Sequence, residues 1–145
     1  PVLALPITSD FKGSEYLQKV MYATDFDESD FAAMRKLMKL LRPFQPEIHF
    51  VHIRTKSANK WNEMRLKGLK DYFANAYNYD NVKSAIIEQQ DVQKGIYEYA
   101  GAKGIELIAL TTHKRGFLAA LFQRSITREI LNKANLPILT FHAGE

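Results

Sequence analysis

Short apolar runs alternate with segments of helical period along almost the whole chain, and this alternation most narrows the folds open to it. Lys19 to Thr24 (KVMYAT), Glu47 to Ile53 (EIHFVHI), Val82 to Ile87, Ile105 to Thr111 (IELIALT) and Ile138 to His142 each have the length and residue types of a buried strand. Between the first two, Phe31, Met34, Met38 and Leu41 recur at helical spacing, with Ser29 or Asp27 as N-cap and Pro43 and Pro46 closing the helix. A second, longer helix runs from about Lys56 to Tyr77. Trp61, Met64, Gly68 and Tyr72 lie on one of its faces, and Lys56, Lys60, Glu63, Lys67 and Lys70 on another. Trp61, Tyr72 and Phe73 are expected to cover the core. Asp91 caps a third helix with Val92, Ile96 and Tyr99 inward, its end marked by Gly101 and Gly104. After a loop, His113 to Gln123, Ser125 caps a fourth helix with Ile126, Ile130, Leu131 and Ala134 inward, and Pro137 introduces the last strand.

Strands separated by helices need crossover connections, and right-handed crossovers give a parallel sheet with helices on both faces. The expectation is an α/β, doubly wound fold. Ligands of such sheets bind beyond the carboxyl ends of the strands, which here are Asp25, Ile53 and the stretch from Thr111 to Arg124. At 145 residues with 46% hydrophobic and 25% charged residues, the chain is expected to form one globular domain with no further staples. It has no Cys, hence no disulfide framework and no thiolate chemistry. No apolar run approaches the ~20 residues that cross a bilayer, and PVLALPITSDFKGSE lacks the parts of a signal peptide, so no membrane is expected and the location is read as cytoplasmic. The net charge of +4 is concentrated: from Leu107 to Arg128 there is no Asp or Glu, while Lys114, Arg115, Arg124 and Arg128 supply all of it.

Asp25 at the end of the first strand reads equally as a ligand contact and as a cap of the following turn. The cluster Asp25, Asp27, Glu28 and Asp30 reads as carboxylates favourably placed at a helix N-terminus rather than as a Mg²⁺ or phosphoacceptor site. His49 and His52 stand three apart on one strand and point to opposite faces, so they do not share a metal. His113 reads as loop-ordering or as a ligand hydrogen bond, and Ser125 as an N-cap. The lysine stripe is interrupted by Glu63 and lacks interleaved aromatics, so nucleic acid is not expected as a partner. An anion site for phosphate or a phosphate-bearing ligand is expected near Arg124 and Ser125, where helix N–H groups and cations meet.

The succession ATDF, FVHI, IALTTHKRGFLAALFQRSITREIL and PILTF resembles the universal stress protein (UspA-like) family over Gln18 to Phe141. The resemblance implies a five-stranded parallel sheet in the order 3-2-1-4-5, dimers through the last strand, and in some members ATP at the carboxyl end. By position, Asp25 matches the family's acid, Ile53 its apolar residue against adenine, and Ser125 its hydroxyl after the last glycine. The family's G-x2-G-x9-G-[ST] glycines fall on Thr111, Lys114 and Arg124, none of which is glycine here. Glycine permits close backbone approach to phosphate, so the cleft reads as degenerate.

PVLALP resembles the last strand of such a domain, as PILTFH does. Residues 1–17 are therefore expected to be a remnant strand and linker of a preceding UspA-like domain, pairing antiparallel with Ile138 to Phe141, with residues 18–145 as the domain proper. A processed natural terminus is the alternative. The functional expectation is a non-enzymatic stress-response module without a cofactor, acting through homodimer or domain pairing at the last strand. Adenine-nucleotide binding, with ATP as the ligand, and nucleotide hydrolysis are the alternatives.

Overall fold

The computed structural model describes residues 1–6, 9–55, 60–112 and 135–142. They form β1 (Val2–Ala4), β2 (Lys19–Ala23), α1 (Glu28–Leu41), β3 (Glu47–Arg54), α2 (Lys60–Tyr77), β4 (Val82–Glu88), α3 (Val92–Lys103), β5 (Leu107–Thr112) and β6 (Ile138–His142). One six-stranded sheet has the order β1-β6-β5-β2-β3-β4. The five strands from β2 onward are parallel and, counted among themselves, stand in the expected order 3-2-1-4-5. The fourth helix and the loop before it lie outside the described residues.

Period-two alternation divides the core. Val20 and Tyr22 of β2, Ile48 and Phe50 of β3, and Leu107 and Ala109 of β5 pack under α1 and α2 with Met34, Leu37, Met38, Leu66 and Phe73. Their neighbours Met21, Ala23, Val51, Ile53, Ile108 and Leu110 face the other way and meet Ile96, Tyr99 and Ala100 of α3. His49 and His52 follow the same alternation: His49 bonds Tyr99 of α3, and His52 faces Asn62 of α2.

Local signals set most helix ends. Asp27, rather than Ser29, caps α1, its carboxylate accepting from the Ser29 N–H. Asp91 caps α3 by accepting from Lys94 N–H. Gly104 closes that helix in the left-handed region at φ 67°, whereas Gly101 lies inside it. In α2 the expectation fails for Trp61. The buried positions are Leu66 and Phe73, with Leu69 and Tyr77 packed beside them, while Trp61 is 65% and Met64 64% exposed. Trp61 stands five residues from Leu66, about 140° around the helix, so only one of the two apolar stripes can face the sheet. Tyr72 sits at the rim, its ring 5.0 Å from Phe31 and 5.1 Å from Phe73.

At the sheet edge, β1 pairs antiparallel with β6, with Val2 opposite Thr140, Leu3 opposite Leu139 and Ala4 opposite Ile138. This is the pairing expected for VLAL. It covers the β6 edge, which would otherwise offer unpaired backbone groups.

Candidate functional site

The carboxyl end of β2 leads into a loop built from side-chain-to-backbone hydrogen bonds. Asp30, in the first turn of α1 and 1% exposed, accepts from the Tyr22 hydroxyl at 2.9 Å, the Thr24 hydroxyl at 2.7 Å and the Asp25 N–H at 3.0 Å. The Thr24 Oγ1 accepts in turn from the Phe26 N–H at 3.0 Å, and Phe26 holds φ 65°, a left-handed conformation uncommon for a bulky residue. Asp25 accepts from Asp27 N–H, and Asp27 from the N–H and hydroxyl of Ser29. Each step satisfies a backbone donor that the sheet and helix leave unpaired.

Thr111, at the end of β5, is buried and its hydroxyl meets that of Tyr22. Because the Tyr22 O–H donates to Asp30, the Thr111 O–H donates to the tyrosine oxygen. Thr111 is thereby held within the fold. Its side chain closes a polar cluster of Tyr22, Thr24, Asp30 and Thr111 under α1. Burial raises the Asp30 carboxyl from 3.8 to about 6, with Asp25 adding in the same direction, and holds the Tyr22 phenol well above its usual value of 10.0.

Ile53 reaches the same end of the sheet from β3 but on the opposite face. It is 2% exposed, and α3 rests directly on it: a Cβ on Gly95 would stand 2.9 Å from Ile53 Cγ2 and 3.0 Å from its Cδ1. Beside it, His52 Nδ1–H donates to the Thr24 carbonyl at 2.8 Å, Asn62 donates to Nε2 at 3.4 Å, and the ring lies 4.5 Å from that of Phe26. Burial lowers the His52 pKa and favours this neutral tautomer. Arg54 closes the strand in an ion pair with Glu88, and its Nε and Nη1 are buried without a hydrogen-bond partner among the described residues.

The structure thus joins the Asp25 N–H and Thr111 to one cluster through Asp30 and Tyr22, and places the Ile53 side chain on the other face of the sheet from Tyr22 and Thr111. His113, Lys114, Arg124 and Ser125, with the expected anion site, lie outside the described residues. Sequence reasoning missed the roles of Asp30, Tyr22, Thr24 and Arg54. An available signal was the alternation of β2, which sends Tyr22 to the α1 side. Among the described residues no group of three or more His, Cys, Asp or Glu is placed to hold a metal ion, and no helix is long and apolar enough to cross a membrane.

The same arrangement of strands and helices recurs in solved structures. A universal stress protein in complex with cAMP matches at TM-score 0.68 and 14% identity, over 88% of this chain and 98% of that one. A universal stress protein from Archaeoglobus fulgidus in complex with dAMP matches at TM-score 0.57 and 13% identity, over 86% and 97%. A longer universal stress protein from Archaeoglobus fulgidus DSM 4304 matches at TM-score 0.61 and 13% identity, over 88% of this chain but 45% of that one. No curated protein matches. The model of the universal stress protein family matches residues 17–142, so the chain belongs to the universal stress protein family.

Proposed function

We propose that the chain is a non-enzymatic, cytoplasmic stress-response module whose nucleotide cleft is degenerate and whose working surface is the last strand. The observation that carries this reading is the β1–β6 pair. PVLALP and PILTFH are the same pattern, and they meet with the third residue of each, Leu3 and Leu139, directly opposite. Such a pair is self-complementary: Val2 faces Thr140, and their counterparts Ile138 and Ala4 face each other in the same way. The β6 of a second copy, or of a preceding domain, would meet β6 in this register. In this reading residues 1–17 are the last strand and linker of such a domain, which accords with the longer relative of which this chain spans 45%. The degenerate cleft is supported by Thr111, whose hydroxyl is engaged within the fold.

Sedimentation of the chain with and without residues 1–5 tests the pairing. The shortened chain is expected to dimerise through the uncovered β6 edge, and a shortened chain that stays monomeric at high concentration overturns it.

A second reading, adenine-nucleotide binding, is favoured by the cAMP and dAMP complexes of the two relatives. Calorimetric titration with ATP and cAMP separates the readings: a Kd tighter than about 0.1 mM, some −5.5 kcal/mol, supports the binder and rejects a degenerate cleft.

A further inference from the structure

At the amino end of the sheet, opposite the family's cleft, a cavity of about 450 Å³ has Asp10, Phe11, Lys12, Tyr16, Leu17 and Glu106 in its wall. That volume is in the range of small-molecule sites. We propose that this cavity binds a small organic cation, an ammonium or guanidinium group on an apolar body.

Three features carry the assignment. Glu106 is fixed: its Oε2 accepts from the Gln18 N–H at 2.6 Å and the Lys19 N–H at 3.1 Å, while its Oε1 has no hydrogen-bond partner among the described residues. A carboxylate oriented by two backbone donors and keeping one free oxygen is a pre-arranged acceptor for a charged donor. The charge balance of the described wall agrees, because among the described lining residues the acids Asp10 and Glu106 outnumber the cation Lys12. The ammonium of neighbouring Lys19 is directed to the Lys103 carbonyl at 3.2 Å.

The wall also includes the aromatic side chains of Phe11 and Tyr16 beside the buried Leu17, and an aromatic face attracts cations as well as apolar groups. Tyr16 is 63% exposed, so its ring is accessible to a ligand. Because residues 9–17 join β1 to β2, an occupant would tie this connection to the domain and stabilise the arrangement it binds.

Amide NMR of the full chain, titrated with 4-phenylbutylamine, 4-phenylbutanol and 4-phenylbutyrate, tests the proposal. The amine is expected to shift the Leu17, Gln18 and Lys19 amides saturably at low millimolar concentration, and the alcohol and the acid at least tenfold more weakly. Glu106→Gln is expected to weaken the amine at least tenfold. Tyr16→Ala, at an exposed position, is expected to weaken it severalfold without altering the remaining spectrum, and it serves if the Glu106 variant fails to fold. Equal binding of the alcohol or the acid, amine binding unchanged in Tyr16→Ala or in a folded Glu106→Gln, or no saturable shift with the amine overturns the assignment.

Discussion

The hydroxyl of Tyr22 in β2 donates to the buried carboxyl of Asp30 in α1 at 2.9 Å, and this bond ties the central strand to the first helix. Thr24 and the Asp25 N–H share the same carboxyl. Asp30→Ala would leave three buried or half-buried donors unsatisfied, and a cost of about 3 kcal/mol or more is expected. Asp30→Asn retains shape and part of the bonding and is expected to cost about 1 kcal/mol. Urea unfolding of the two variants checks the order, and an Asp30→Ala cost below that of Asp30→Asn would contradict the network.

Acid dependence follows from the same residue set against two histidines. Burial lowers the pKa of His49, despite the pull of Glu47 and with Tyr99, Lys83 and Lys19 around it, and lowers that of His52. The unfolded chain then binds more protons, so these two histidines cost stability as pH falls through about 6.5. Asp30 acts oppositely. Its folded pKa of about 6 lies above 3.8, so the folded chain takes up the proton first and gains stability as pH falls from about 6 to about 4. Wild type is therefore expected to show a shallow dependence between pH 6.5 and 5, and Asp30→Asn a steeper loss on acidification. Unfolding midpoints at pH 7, 6 and 5 decide, with equal slopes excluding Asp30 from the balance.

Glycine replacements separate packing from helix propensity. Gly95→Ala places its methyl 2.9 Å from Ile53 Cγ2 and 3.2 Å from Gln89 Cβ, and a net destabilisation of about 1–3 kcal/mol is expected despite the better helix former. Gly68→Ala and Gly101→Ala meet nothing within 4 Å, so each is expected to stabilise by about 0.5–1 kcal/mol. Thermal unfolding of the three variants gives the signs. A stabilising Gly95→Ala would show that α3 does not rest on Ile53 as described.

The orientation of α2 is open to a comparable test. Phe73, fully buried between Phe31 and Phe50, is expected to cost about 3–5 kcal/mol as Phe73→Ala. Met64 is 64% exposed, and Met64→Ala is expected to change stability by no more than about 0.5 kcal/mol. Reversed magnitudes would mean that the other stripe faces the sheet.

Among the described residues, the order of strands and helices, the cap Asp91 and the seating of β1 on β6 were legible in the sequence, which left Asp27 or Ser29 to start α1 and Gly101 or Gly104 to end α3. Each rests on a local pattern: a period of two or 3.6, a capping side chain, or one motif occurring twice. What only the tertiary structure decided depends on residues far apart in sequence. Asp30 reads as one of four carboxylates near a helix start until Tyr22, Thr24 and Thr111 surround it and burial shifts its protonation. Two apolar stripes on α2 are equally regular, and the sheet selects the one that Leu66 and Phe73 share. Ile53 ends a strand and reads as a residue against a ligand, and only the tertiary structure shows that Gly95 lets α3 rest on its side chain. The amino-end cavity has no sequence signature at all, because its wall joins residues 9–17 to Glu106 and Asn135, and only the parallel register of β2, β5 and β6 brings those positions to one end of the sheet.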